Sequence, residues 1–119
     1  MNTEPCLDAA TLEKLLQIGG RDFTVKMIEL FMSYVPEKLM EARAAERDGD
    51  LERVQKAVHP IKSSAMNVGA RNMRDLAERI EQHALDRERG HIAPLLTELE
   101  AMYGQVRLHL QEYLNSSLR

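Results

Sequence analysis

Apolar residues recur along this chain in steps of three and four, and that rhythm organises nearly everything else. Leu51, Val54, Val58, Ile61, Ala65 and Val68 keep it without a gap, and at about 100° per residue they line one face of a helix spanning about 51–68. The same spacing predicts a short first helix over about 8–18, with Leu12, Leu15 and Leu16 on one side, Asp8 as its cap and Gly19-Gly20 as its stop. A second helix is expected over about 22–47, its seam carried by Phe23, Met27, Leu30, Phe31 and Tyr34 and resumed by Leu39 and Ala42. Pro36 interrupts it, and the missing amide predicts a kink or a real break there. A helix over about 72–87 should bury Met73, Leu76, Ala77, Ile80 and Ala84, and a last one over about 92–115 should bury Leu95, Leu99, Met102, Val106, Leu110 and Tyr113. Asp48-Gly49-Asp50 is turn chemistry, with Asp50 placed to cap the helix that follows. No stretch alternates as a strand would. The expectation is all-α: an up-and-down antiparallel four-helix bundle with an additional short N-terminal helix across one end.

Composition narrows the function classes. The 119 residues suit one domain over 1–119, and no shift in composition divides them. A net charge of -3 with interspersed signs offers no broad positive face, which argues against nucleic acid as a partner. Cys6 is the only cysteine, so an intrachain disulfide and a multi-thiolate zinc site are excluded, in keeping with the cytoplasm. Met1-Asn2-Thr3-Glu4-Pro5 lacks a basic segment followed by an apolar run, so neither export nor membrane spanning is expected. A monomer is the default.

Candidate chemistry concentrates in His59-Pro60-Ile61-Lys62-Ser63-Ser64-Ala65-Met66-Asn67-Val68-Gly69-Ala70. On helical geometry His59 lies roughly 135° from the centre of the apolar stripe and Lys62 roughly 75°, so the imidazole should be wet with an ammonium one turn later. Ser63 and Met66 follow His59 at four and seven residues, so a partner docking on the ring would pass over a small hydroxyl and a flexible thioether. Gln55, one turn earlier, is placed either to hydrogen-bond the ring and fix its tautomer or to stand free on the surface. Pro60 removes a helix amide directly after His59, which is either a tolerated irregularity or a tilt that presents the ring. Ser64, on the other flank, is expected to bond a carbonyl one turn back. His83 reads as a boundary residue, His91 lies in a turn and His109 on the last helix, none with a partner at zinc-ligand spacing.

The block resembles the signature of histidine-containing phosphotransfer (HPt) domains: His, two variable residues, Lys, then Gly or Ser, then Ser, with a Gly-Ala pair closing the helix. Here these are His59, Lys62, Ser63, Ser64, Gly69 and Ala70, and Leu7-Asp8, Gly19-Gly20, Phe31 and Pro36 extend the likeness along the chain. The resemblance implies a phosphocarrier that relays a phosphoryl group between aspartates of receiver domains in hybrid sensor kinases and response regulators. His59 would be the phosphoacceptor and Lys62 the cation that steadies the phosphoryl group, whose loose transition state calls for positioning and positive charge. Ser63 stands where many members have Gly, and its hydroxyl would either touch the phosphoryl oxygens or narrow access. Met66 would help form the docking surface. The family's magnesium belongs to the receiver, so no cofactor is expected on this chain, and no ATP-binding motif points to autokinase activity. Two other readings are a non-catalytic helical receiver-binding module, disfavoured by the joint presence of His59 and Lys62, and a metal or haem bundle, disfavoured because it needs inward-facing ligands on several helices, whereas the single Glu-x-x-His of this chain, Glu88 to His91, falls at a turn.

Overall fold

A computed structural model describes residues 7–118. Met1–Pro5 and Cys6, which carry the readings on export and on the lone thiol, lie outside the described residues. Among the described residues the chain is helical with no strand: α1 (Ala9–Arg47), α2 (Leu51–Asn67), α3 (Arg71–Leu85) and α4 (Ile92–Ser117), with a short 3-10 turn at Arg89–His91. Each helix packs on the next and α4 closes on α1, the arrangement that short connections impose on amphipathic helices.

Local chemistry explains the ends. The Asp8 carboxylate accepts from the Ala10 amide at 3.1 Å and starts α1, while Asp50 accepts from the Arg53 amide at 3.1 Å and starts α2. α1 runs from Ala9 to Arg47 but is kinked at Gly20, the one residue in it with non-helical dihedrals, at φ 83° and ψ -178°. That left-handed φ suits glycine, which has no Cβ to clash. Gly69, at φ 78°, closes α2, and its carbonyl accepts from the Asp8 amide at 2.7 Å. A Cβ at Gly69 would stand 2.8 Å from the Asp8 carbonyl oxygen, so the glycine lets the start of α1 rest on the α2–α3 turn.

Pro36 does not break α1; the backbone stays helical through it. A proline cannot donate to the carbonyl four residues back, and here that carbonyl, of Met32, accepts from the Tyr103 hydroxyl of α4 at 3.1 Å. Burial pushes the Tyr103 phenol above its ordinary pKa, against the pull of Arg107, which keeps it a donor. A tertiary contact replaces the lost helical bond.

The seam of α1 also differs from expectation. Thr24, Ile28, Phe31, Val35, Leu39, Ala42 and Ala45 are buried, whereas Phe23, Leu30 and Tyr34 are exposed. Two apolar stripes lie side by side on this helix: Phe31, Leu39 and Ala42 are buried as expected, but β-branched Ile28 and Val35 fill the core beside them while Phe23, Leu30 and Tyr34 stay outside. In α4 the seam shifts similarly, with Tyr103 and Leu114 buried and Met102 and Tyr113 only partly so. Elsewhere α2 buries Val54, Ala57, Val58, Ile61 and Ala65, and α3 buries Met73, Leu76, Ala77, Ile80 and Ala84. Arg43 ties α1 to α4 through Glu100 at 2.8 Å and Thr97 at 3.0 Å.

Candidate functional site

His59 stands on the solvent side of α2, its side chain 62% exposed. Its neighbour across the α2–α3 contact is Glu81, the one acidic residue buried among the described residues, its side chain only 7% exposed. Glu81 lies four residues after Ala77 and three before Ala84, so helical spacing places it on the packed face of α3. A carboxylate there needs several donors to offset lost hydration, and it has three. The Gln55 amide donates to Oε2 at 2.7 Å, His59 Nδ1 lies 2.6 Å from the same oxygen, and the Lys62 ammonium pairs with Oε1. No buried side-chain nitrogen or oxygen among the described residues lacks a partner.

The electrostatics follow from these contacts. Burial works to raise the Glu81 pKa, but hydrogen bonds from Lys62, Gln55 and His59 outweigh it and hold the carboxyl below its ordinary value. Lys62 moves the opposite way: the bond to Glu81 raises its pKa against partial desolvation, with Glu78 adding attraction. Glu81 is therefore ionised and can only accept. The ring nitrogen facing it, Nδ1, therefore carries the hydrogen, and in the neutral form of the ring Nε2 is the nitrogen with the lone pair.

Lys62 reaches further along the groove, to Glu78 Oε1 at 3.5 Å, and Glu78 Oε2 is in turn 2.8 Å from Arg74. The carboxylates and cations alternate from His59 toward the start of α3.

The residues expected to act together are only partly brought together. His59 and Lys62 meet through Glu81, each on its own carboxylate oxygen. Gln55 does not hydrogen-bond the ring; it bonds Glu81 and so acts on the ring at one remove. The back-bond expected of Ser64 belongs to Ser63, whose hydroxyl donates to the Pro60 carbonyl at 3.3 Å. Ser64 instead lines an apolar groove of about 250 Å³ with Met27, Leu30, Phe31, Tyr34 and Asn67. Met66 is exposed two turns past His59. Glu81 was missed by sequence reasoning, although a glutamate at i+4 from Ala77 on an otherwise apolar stripe was a readable signal.

Among the described residues no group of three His, Cys, Asp or Glu side chains is placed to hold a metal ion, and no helix is long and apolar enough to cross a membrane.

With this geometry in hand, comparison with known proteins gives consistent results. The model of the Hpt domain family matches residues 26–109. Among solved structures, histidine-containing phosphotransfer protein B (HptB) from Pseudomonas aeruginosa PAO1 superposes with a TM-score of 0.86 at 23% identity, covering 92% of this chain and 95% of that one. No curated relative matches the sequence.

Proposed function

The chain belongs to the Hpt domain family and is a histidine phosphotransfer protein of phosphorelays, and on that premise we propose that His59 is its phosphoacceptor through Nε2. One observation carries the assignment: an exposed imidazole whose Nδ1 is engaged by a buried, ionised carboxylate. Hpt domains exchange phosphoryl groups with receiver domains. In the forward step Nε2 attacks the phosphorus of a receiver's aspartyl phosphate, the N–P bond forms as the P–O bond breaks, and the aspartate leaves as carboxylate. The phosphorylated ring, with hydrogen on Nδ1 and phosphorus on Nε2, is cationic, and Glu81 faces that charge. Transfer to a second receiver aspartate reverses these bond changes.

Lys62 would steady the phosphoryl oxygens, with Gln55 and Glu81 setting the ring's tautomer and orientation. Met66 and the groove beside Ser64 offer the apolar surface on which a receiver would dock, and Ser63, whose hydroxyl bonds the Pro60 carbonyl, would narrow the approach to His59 rather than hold the phosphoryl group. The carrier would work as a cytoplasmic monomer with no cofactor of its own, magnesium being supplied by the receiver, and without autokinase activity. The segment ahead of Gly20 would act as a short separate helix across the end of the bundle, a reading supported by the Gly20 dihedrals and the Asp8–Gly69 hydrogen bond.

The test is transfer of radiolabel from a phosphorylated receiver to the wild-type chain and to His59→Gln. The wild type should take up label that is lost in acid and retained in alkali, and the variant none. Label retained by His59→Gln, or an acid-stable adduct on the wild type, refutes the assignment.

A further inference from the structure

Lys62 has three N–H donors, and two of them point at carboxylates of different character. Glu81 is buried, and its Oε1 accepts from Lys62 while Oε2 takes Gln55 and His59. Glu78 is 43% exposed and sits at 3.5 Å, the far limit of a hydrogen bond. Glu78 also has a better partner in Arg74, at 2.8 Å. Losing Lys62 would therefore strand an oxygen of Glu81 but would leave Glu78 paired and hydrated.

His59 and Lys62 are one turn apart on the same helix, so a phosphoryl group on the ring comes within reach of the ammonium. Such a group carries more negative charge than a carboxylate and offers three strong acceptor oxygens. It competes with Glu78, the weaker and more exposed partner, rather than with Glu81.

We propose that Glu78 is a positioning residue that occupies the phosphoryl group's place on Lys62 while the carrier is bare, and so limits how tightly the phosphorylated form is held. This rests on the reading of His59 as phosphoacceptor. In the bare state Lys62 spans Glu81 and Glu78; on phosphorylation its Glu81 bond persists and its Glu78 contact passes to a phosphoryl oxygen. Glu78 then remains on Arg74. A carrier must release what it receives, and a standing competitor for the lysine that steadies the phosphoryl group keeps the two states close in free energy.

The experiment is the equilibrium distribution of label between a receiver aspartate and the full chain, measured for wild type, Glu78→Gln, Lys62→Met and the double variant. Glu78→Gln should shift label toward the carrier by about two- to fivefold, the range expected for a partly exposed ion pair. In the Lys62→Met background the same substitution should shift it by less than about 1.5-fold, since the competition acts through Lys62. An unchanged distribution in Glu78→Gln overturns the proposal, and so does a shift that persists in full without Lys62, which would mean direct repulsion between Glu78 and the phosphoryl group. If the wild type itself takes no label on His59, the phosphoacceptor reading fails first and this one with it; label on His59 with no effect of Glu78 defeats this one alone.

Discussion

Among the described residues two histidines pair with glutamates through Nδ1, and they differ in which partner is buried. At the α2–α3 groove the ring of His59 is 62% exposed and its glutamate, Glu81, is 7% exposed. At the turn between α3 and α4 the proportions run the other way: the ring of His83 is 26% exposed and stacks on His91 with centroids 4.5 Å apart, while Glu88 is 49% exposed. The contact distances are similar, 2.6 Å against 2.9 Å. A histidine–carboxylate pair is therefore not in itself a phosphoacceptor site. What distinguishes His59 is a carboxylate fixed by Gln55 and Lys62 beneath a ring open to a partner, whereas Glu88 is held by one local contact and His83 is shielded.

The largest expected effect separates the rings. His59→Gln should abolish labelling by a phosphorylated receiver, while His83→Gln should accept label at the wild-type rate; labelling that falls equally in both variants would erase the distinction. Next come the carboxylates. A hydrogen bond to a charged acceptor contributes about 1.5–3 kcal/mol, so Glu81→Gln should slow transfer about ten- to a hundredfold, whereas Glu88→Gln should change it by less than about twofold. Single-turnover kinetics with one receiver would measure both, and equal rates would show that burial of the glutamate does not matter.

Much of this contrast was legible in the sequence, and the remainder was not for identifiable reasons. The stripe through Val54, Val58, Ile61 and Ala65 correctly placed His59 outside the core, because a single well-defined apolar face leaves little choice of orientation. The apolar face of α1 is wider, and choosing between its two stripes depends on what α2 and α4 bring against it, which no local pattern contains. Pro36 reads locally as a kink or a break, and the hydroxyl of residue 103 that meets the carbonyl it strands comes from a distant helix. Gln55 illustrates the same limit: its side of α2 was readable, but its acceptor belongs to α3. The groove formed by Met27, Leu30 and Tyr34 with Ser64 and Asn67 follows from the misjudged stripe, since residues assigned to the seam turned out to be surface.

Acid should test the buried pair through stability. Because the Glu81 pKa is lowered in the folded protein, its contribution is complete above the ordinary carboxylate range and is lost as the pH falls through the lowered value. Lys62 has a raised pKa, so its contribution is present below the ordinary lysine value and is lost only as the pH climbs through the raised one. Thermal unfolding followed from neutral pH into acid should thus show a shallower decline for Glu81→Gln than for wild type. A decline for Glu81→Gln as steep as that of wild type would mean that the buried carboxylate does not carry the acid sensitivity.

The smallest effect is the most discriminating for the physical cause. In a double-mutant cycle, coupling between His83 and Glu88 should not exceed about 0.5 kcal/mol, because half of the carboxylate is already hydrated and loses little when its partner goes. The corresponding cycle for Lys62 and Glu81 should give about 1–3 kcal/mol, since removing the ammonium strands a buried carboxylate oxygen and removing both partners relieves that cost. Chemical denaturation with unchanged m-values would measure each coupling. Should the two come out equal, the exposed contact would be as strong as the buried one, and the rigidity ascribed to the carboxylate beneath His59 would have to come from the packing of α3 rather than from its hydrogen bonds.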